Sequence, residues 1–430
     1  MRRRRYPQAL GRSPLCANTG EVKILLSDGT SLASRQVSGD LGRAGHHVEI
    51  LTPDPICLGR FTRYVRKVHR VPAYGPDPFG WLDVALAIYR SGGFDALFPT
   101  QEQVAVLSHS AQRPGSADVR TAVPPFEALR AVQDKVTASA TLGALRVPQP
   151  PTAFLGSADE LRAWNTFPVF IKVPIGTATT GVRRVASPAE LDAVATEFET
   201  SGFFDGGTVI AQEPVEGPLA MVQSVFVRGE MVAAHANLRV REGTGGGASH
   251  KRSLDDPAAI TEHLETLGSS LGWHGALSAD AILTRTGPVF IDINPRLVEP
   301  GNARRSGVDL TGAMLEVAVG GTPPARLSGR PGVKTHQLLL AVLGAGAEGR
   351  GRRGVVAEIL AALTHAGLYR GSAEELTPVR RDLEAAVPVL AAALALLIRP
   401  VLWRRLSSGA VADYALTPAG WQRLLDSAPA

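Results

Sequence analysis

The chain has 430 residues, 44% of them hydrophobic and 20% charged, with a formal net charge of +5. That length accommodates two or three domains with cores of their own, and the composition is globular, which excludes a disordered or fibrous chain. Part of the basic excess lies in Arg2 to Arg5, and no basic stripe interleaved with aromatics follows, so nucleic-acid binding is not expected.

Only Cys16 and Cys57 occur. They form neither a disulfide framework nor a metal-ligand pair, so a reducing cytoplasm is the expected compartment. The Arg run leads into no apolar segment, and a secretory signal is not expected. The longest apolar stretch, Val387 to Ile398, has twelve residues, short of the roughly 20 that span a bilayer. It reads first as a buried or inter-domain helix. Contact with a membrane surface or a partner is the lesser reading.

Residues 1–20 lack periodicity and read as a basic tail. From Val22 the pattern is α/β. A buried-type strand, Val22 to Leu26, precedes a helix from Ser31 to Ala44 and a second strand, Val48 to Leu51. A helix from Pro78 to Arg90 leads to a strand at Phe94 to Phe98, then Pro99-Thr100-Gln101-Glu102. Strands alternating with helices argue for a parallel sheet over 21–120. The turn after the first strand is not G-x-G-x-x-G, so no dinucleotide site follows from it.

A second unit, 121–205, begins at Pro124-Pro125. Asp134-Lys135 opens a helix. Two strands then flank the segment Lys172-Val-Pro-Ile-Gly176-Thr177-Ala-Thr179-Thr180-Gly181. A buried strand delivers Lys172 to its end, and a loop of small residues follows at once. Backbone N–H groups in such a loop can ring a phosphate, and Lys172 adds a compact positive charge.

A third unit, 206–325, starts with a strand, Thr208 to Gln212, and a hairpin around Arg228-Gly229. The glycine-rich run at 243–247, with His250, Lys251 and Arg252 beyond it, reads as a closing loop with cations at its base. A helix from Pro257 to Gly268 leads to Asp280-Ala-Ile-Leu-Thr-Arg-Thr-Gly-Pro-Val-Phe-Ile-Asp292-Ile-Asn294-Pro-Arg296. Two apolar runs around Thr286-Gly287-Pro288 predict a β-hairpin. A hairpin sets Asp280 beside Asp292, and Asn294 shares the face of Asp292 because strand side chains repeat every two residues. Three hard oxygens at one spot suit Mg²⁺, which fills its remaining positions with phosphate and water. Arg296, beside them, suits a carboxylate or an acyl-phosphate. Residues 326–430 are rich in Ala, Leu and Arg, with helix starts expected at Thr377-Pro378 and Thr417-Pro418.

The Lys172 loop and the acid–acid-x-Asn-x-Arg hairpin, in this order, resemble the ATP-grasp superfamily. The resemblance covers roughly residues 21–325. Val173 before Pro174 and a loop poorer in glycine are departures from its pattern. It implies a Rossmann-like pre-ATP-grasp domain, a two-lobed α+β ATP-grasp core and a helical C-terminal domain. It implies ATP with Mg²⁺ (Mn²⁺ as an alternative) as cofactors, and a ligase that activates a small-molecule carboxylate for attack by an amine.

Lys135 and Lys172 would reach the phosphates, with Gly176, Thr177, Thr179, Thr180 and Gly181 around them. Gln212 and the backbone of Val215 would read the adenine edge. No carboxylate stands at the family's ribose position, where Pro218 follows Gly217, so Glu213 or Glu216 would substitute. Asp280, Asp292 and Asn294 would hold the metal. Arg296, Lys172 and Lys251 would serve the chemistry. A carboxyphosphate-handling, biotin-carboxylase-like enzyme and a non-turnover ATP-binding module are the alternatives, and a homodimer is compatible with all three.

Overall fold

A computed structural model of the protein describes residues 20–111, 118–177, 181–204, 207–321, 323, 329–408 and 411–427. Its first sheet is parallel. It is built from β1 (Lys23–Leu26), α1 (Leu32–Ala44), β2 (His47–Thr52), β3 (Val65–Arg70), α2 (Pro78–Gly92) and β4 (Ala96–Phe98), in the strand order β3-β2-β1-β4. Ser31 opens α1 by accepting the amide of Ser34 at 3.1 Å. Ile24, Leu25 and Leu26 are fully buried, as a central strand covered on both faces requires. Strand β3, Val-Arg-Lys-Val-His-Arg, was not expected from sequence. It is an edge strand, where charged side chains are tolerated and block further pairing. Beyond β4, α3 (Val104–Ser110) follows a turn that carries Glu102.

Two helices, α4 (Phe126–Gln133) and α5 (Lys135–Ala144), lead into an antiparallel sheet. It comprises β5 (Thr152–Leu155), α6 (Ala158–Arg162), β6 (Val169–Lys172), β7 (Val182–Val185), α7 (Pro188–Thr200) and β8 (Val209–Gln212), ordered β5-β8-β6-β7. Val169 and Ile171 point into a core with Leu161, Leu191 and Phe198. The two-residue period of a strand therefore turns Phe170 and Lys172 to the opposite face.

The third sheet has seven strands, ordered β13-β12-β9-β10-β11-β14-β15. These are β9 (Leu219–Val227), β10 (Glu230–Glu242), β11 (Ala248–Ser253), β12 (Gly275–Thr284), β13 (Gly287–Asn294), β14 (Lys334–His336) and β15 (Ala373–Glu374). Helix α8 (Ala258–Ser270) covers one face through Ile260, Leu264 and Leu267, against Phe226 and Phe290. After α9 (Gly301–Ser306), α10 (Leu310–Val319) joins this sheet to the first. Its Leu310 and Met314 share one core with Val225 and Ala276 on one side and with Ile24 and Phe98 on the other.

The C-terminal part contains α11 (Leu338–Ala347), α12 (Gly351–Thr364), α13 (Ala386–Ile398), α14 (Trp403–Ser408), α15 (Val411–Tyr414) and α16 (Pro418–Asp426). The expectation of a helical domain needs correction in two respects. First, β14 and β15 belong to the large sheet; strands of three and two residues carry no readable period. Second, the segment is tied into the rest of the molecule. Arg35 pairs with Asp382 at 2.9 Å with both side chains buried, and Leu416, Trp421 and Leu424 pack with Trp81 and Phe126. Thr417 caps α16, whereas Thr377-Pro378 opens a turn rather than a helix. Among the described residues no helix is long and apolar enough to cross a membrane.

Candidate active site

A cavity of about 410 Å³ lies between the antiparallel sheet and the large sheet. Phe170, Lys172 and Gln212 line it from one sheet, and Asp280, Ile282 and Asp292 from the other. Glu102, carried on the turn after β4, also reaches it. Its size is that of a small-molecule site.

Lys172 sits at the end of β6 on the cavity face. Its Nζ donates to the Ile291 carbonyl at 2.8 Å, so one side chain ties the two sheets together. Burial lowers its pKa to about 8, and Lys135 adds to the lowering; Asp292 works against both. The loop beyond it closes where the Val173 amide donates to the Gly181 carbonyl at 2.9 Å. A Cβ on Gly176 would lie 3.1 Å from the Gly181 Cα, so close backbone approach explains the glycines. Gly176 and Thr177 line the cavity; Gly181, packed against Gly176, does not. Thr179 and Thr180 lie outside the described residues.

The Asp134-Lys135 pair divides its work. Asp134 Oδ1 caps α5 by accepting the amides of Val136 at 2.9 Å and Thr137 at 2.8 Å. Lys135, in the first turn, points inward and donates to the Gly176 carbonyl at 3.0 Å; its Nζ is 4.0 Å from Asp292 Oδ1.

Asp280 and Asp292 are cross-strand partners on β12 and β13, and Ser278 faces Asn294 two residues on. The connecting turn is Arg285-Thr286, with Gly287 and Pro288 already in the strand. A regular ladder from the Thr284–Gly287 pair would set Asp280 opposite Ile291. A bulge between Ala281 and Asp280 restores the acid pair and leaves Ile291 as the extra residue.

Burial raises the Asp280 pKa to about 7, and the facing Asp292 raises it further, against Arg239 and Arg296. Two facing carboxylates with an amide beside them form a donor set that fits a divalent cation. Among the described residues no group of three or more His, Cys, Asp and Glu gathers. A cation here would therefore complete its shell with phosphate and water, as Mg²⁺ does.

Arg296 also lines the cavity. Its Nη1 is 2.9 Å from Glu102 Oε1, and its buried Nε has no partner. Gln212 donates through Nε2 to Thr152 Oγ1 at 3.2 Å, which leaves its oxygen for a ligand. Glu213 and Val215 line the same end.

Lys251 is a correction. It is fully buried and does not line the cavity. Its Nζ lies 2.6 Å from Glu299 Oε2 and 2.8 Å from Glu375 Oε1. Burial opposes its charge, but the two carboxylates outweigh burial and hold the ammonium above its ordinary range. Arg239, which sequence did not single out, reaches the cavity instead and donates to the Gly246 carbonyl at 3.0 Å. Its only sequence signal was its place opposite the glycine-rich run, at the far end of a hairpin strand.

Comparison with known proteins follows the same lines. No family model matches the chain. A stretch of 258 residues, 56% of the chain, is 26% identical to human mitochondrial pyruvate carboxylase, and the match takes in 22% of that protein. The chain thus spans about a fifth of that relative's length. Among solved structures, biotin carboxylase from Campylobacter jejuni superposes with a TM-score of 0.58 at 19% identity, over 73% of this chain and 74% of that one. L-amino acid ligase from Bacillus licheniformis gives 0.57 at 16% identity, over 74% and 80%. N5-carboxyaminoimidazole synthetase from Staphylococcus aureus, complexed with ADP, gives 0.58 at 12% identity, over 75% and 83%. The chain has the ATP-grasp fold. The 410 Å³ cavity lies between the antiparallel sheet and the large sheet of that fold.

Proposed function

We propose that the protein is an ATP- and Mg²⁺-dependent ligase that activates a small-molecule carboxylate as an acyl-phosphate for attack by an amine. The observation that carries this reading is the meeting of Lys135 and Lys172 with the Asp280–Asp292 pair in one cavity. The apolar walls at Phe170 and Ile282 suit an adenine, and the oxygen of Gln212 suits its exocyclic amine. Lys135 and Lys172 supply fixed positive charge for the phosphates. Asp280, Asp292 and Asn294 would hold Mg²⁺, whose chemistry is to neutralise charge on the phosphate oxygens.

Arg296 is suited to the acid substrate. Its unpartnered Nε is a buried donor that a carboxylate would satisfy, and Glu102 holds the guanidinium at Nη1. In the reaction, a carboxylate oxygen attacks the γ-phosphorus of ATP and ADP leaves. The amine then attacks the acyl carbon, and phosphate leaves with the C–O electrons. Enclosure of the reacting groups would limit hydrolysis of the acyl-phosphate.

The likeness to biotin carboxylase structures, one of which is in complex with MgADP and bicarbonate, supports a second reading, in which the activated acid is bicarbonate. One assay separates the two. ADP release is followed with ATP and Mg²⁺ in the presence of bicarbonate alone, of amino-acid pools, and of both withheld. Release that needs an acid and an amine supports the ligase. Release with bicarbonate alone supports the second reading, and no release under any condition, or release unchanged by Asp292→Ala, rejects both.

A further inference from the structure

Helix α13, Ala-Val-Pro-Val-Leu-Ala-Ala-Ala-Leu-Ala-Leu-Leu-Ile, has no polar side chain on any face. Val389, Ala392, Ala393 and Leu396 are buried against the α11 side. The opposite stripe is bare: Leu390 is 65% exposed, Leu394 61% and Ile398 67%. The stripe does not stop at one helix. Helix α12 packs beside α13 and exposes Leu360 and Leu363, and Val401 and Leu406 extend the surface past the end of α13. So many exposed leucines on two adjacent helices are more than a solvated surface ordinarily presents.

The exposed charge carried by this stretch of chain is predominantly positive. Between residues 351 and 407 the exposed charged side chains are eight arginines and one glutamate, Glu384. Arg380 and Arg381 precede the helix, Arg399 follows it, and Arg404 and Arg405 come off α14. The other acids of this stretch, Glu358, Glu375 and Asp382 among them, are turned inward into ion pairs. Arg352 donates to the Leu397 carbonyl at 2.6 Å and the Ile398 carbonyl at 2.8 Å, so a cation also seats at the helix end.

We infer that the α12–α13 face docks on an anionic lipid surface, its leucines in the acyl boundary and its arginines on the headgroups. The pattern, leucine on one face with arginine at its margins, is that of helices lying in the interface plane. At 13 residues α13 is about 20 Å long, which lets it lie along a bilayer and not cross it. A second copy of the chain fits the face less well. An isologous contact would bring the same eight arginines against their own images with one glutamate each to offset them. The proposal is independent of the ligase reading, since no group of the cavity takes part.

The test is co-sedimentation of the full chain with vesicles of phosphatidylcholine alone and of phosphatidylcholine with phosphatidylglycerol, at low and high salt. Light scattering of the protein without vesicles gives its mass. Binding is expected with the anionic vesicles at low salt, and not with the neutral ones. The arginines should each contribute about fivefold, so Arg404→Ala/Arg405→Ala should weaken binding about 25-fold. Leu390→Asn/Leu394→Asn should abolish it. Both leucines are exposed, so the variant should melt where the wild type does; if it does not, the arginine pair decides. Failure to bind anionic vesicles, equal binding to neutral ones, or unchanged binding in the variants overturns the proposal. So does a dimer that the leucine variant dissociates.

Discussion

Lys172 donates to the carbonyl of Ile291, and Ile291 is the one residue of β13 without a cross-strand partner in the acid hairpin. The bulge therefore does two things. It brings Asp292 opposite Asp280, and it turns an unpaired carbonyl towards the lysine of the facing sheet. The cleft is closed by a polar contact that a phosphate group can compete for, because the same ammonium serves both.

Removing that ammonium should separate ligand binding from stability. In Lys172→Met the ATP-induced stabilisation, about 2.7 kcal/mol at a hundredfold excess over Kd, should disappear. The ligand-free protein should melt no lower than the wild type, since burial already disfavours the lysine's charge and brings its pKa down to about 8. Thermal melts with and without ATP and Mg²⁺ read both effects; a large loss of ligand-free stability would mean that the Ile291 contact outweighs the burial cost.

The acid pair makes a related prediction. Asp280 and Asp292 repel across the hairpin, and Asp280 is held near neutrality by burial and by its neighbour, with a pKa of about 7. Asp292→Asn removes the repulsion. It also removes the attraction of Asp292 for Lys135 and Lys172, so the ligand-free variant should stay within about 1 kcal/mol of the wild type. It should also lose any difference between ATP with Mg²⁺ and ATP with EDTA, which melts in the two buffers would show.

These two sites also mark what could be read beforehand. The acids, Asn294, Arg296 and the Lys172 loop were legible because a strand period and a turn fix which residues share a face. The bulge was not, since one extra residue leaves no trace in hydrophobic alternation. Lys251 was misplaced for a different reason. Its partners Glu299 and Glu375 are 48 and 124 residues away, and no local pattern announces that a lysine beyond a glycine-rich run turns into the core. Arg239, its cross-strand neighbour, took the place at the cavity.

Acid sensitivity should come from the histidines of the large sheet. His250 and His336 stack with ring centroids 6.0 Å apart, and both meet Tyr369 edge-on. Burial lowers each pKa to about 4, helped by His336 and Arg241 for His250 and by His365 and Arg305 for His336. A folded pKa below the unfolded value of about 6.5 means that the unfolded chain binds more protons in between. Stability from these groups is then present above pH 6.5 and lost as pH falls towards 4. His336→Gln should lose less stability than the wild type over that window, by up to about 3 kcal/mol. Urea melts at pH 7 and pH 4.5 give the difference; equal losses in both proteins would place the acid sensitivity elsewhere.

Glu102 should act through Arg296. The Glu102→Gln variant keeps a hydrogen-bond acceptor but removes the charge that holds the guanidinium, whose Nη1 is 2.9 Å from the carboxylate. A freed Arg296 binds an anionic substrate more strongly in the ground state and orients it less well. The expected outcome is a lower KM for the acid with kcat reduced about tenfold, at unchanged ATP affinity. A rise in the ATP Kd instead would assign Glu102 to the nucleotide.

Lys251 offers the sharpest separation of structure from chemistry. It is enclosed between Glu299 and Glu375, and Gln337 donates to the same Glu299 oxygen. Lys251→Met leaves two buried carboxylates without a cation, and breaking a buried pair in this way costs about 3 to 5 kcal/mol. If the lysine serves only to join β11 to the C-terminal segment, Lys251→Met/Glu299→Gln/Glu375→Gln should recover most of that loss, because no uncompensated charge is left inside. The triple variant should also keep the ATP and Mg²⁺ response of the wild type, since none of the three side chains lines the cavity. Recovery of stability without recovery of ADP formation would return Lys251 or Glu299 to the chemistry, with the cleft closing further around substrate than the ligand-free structure does.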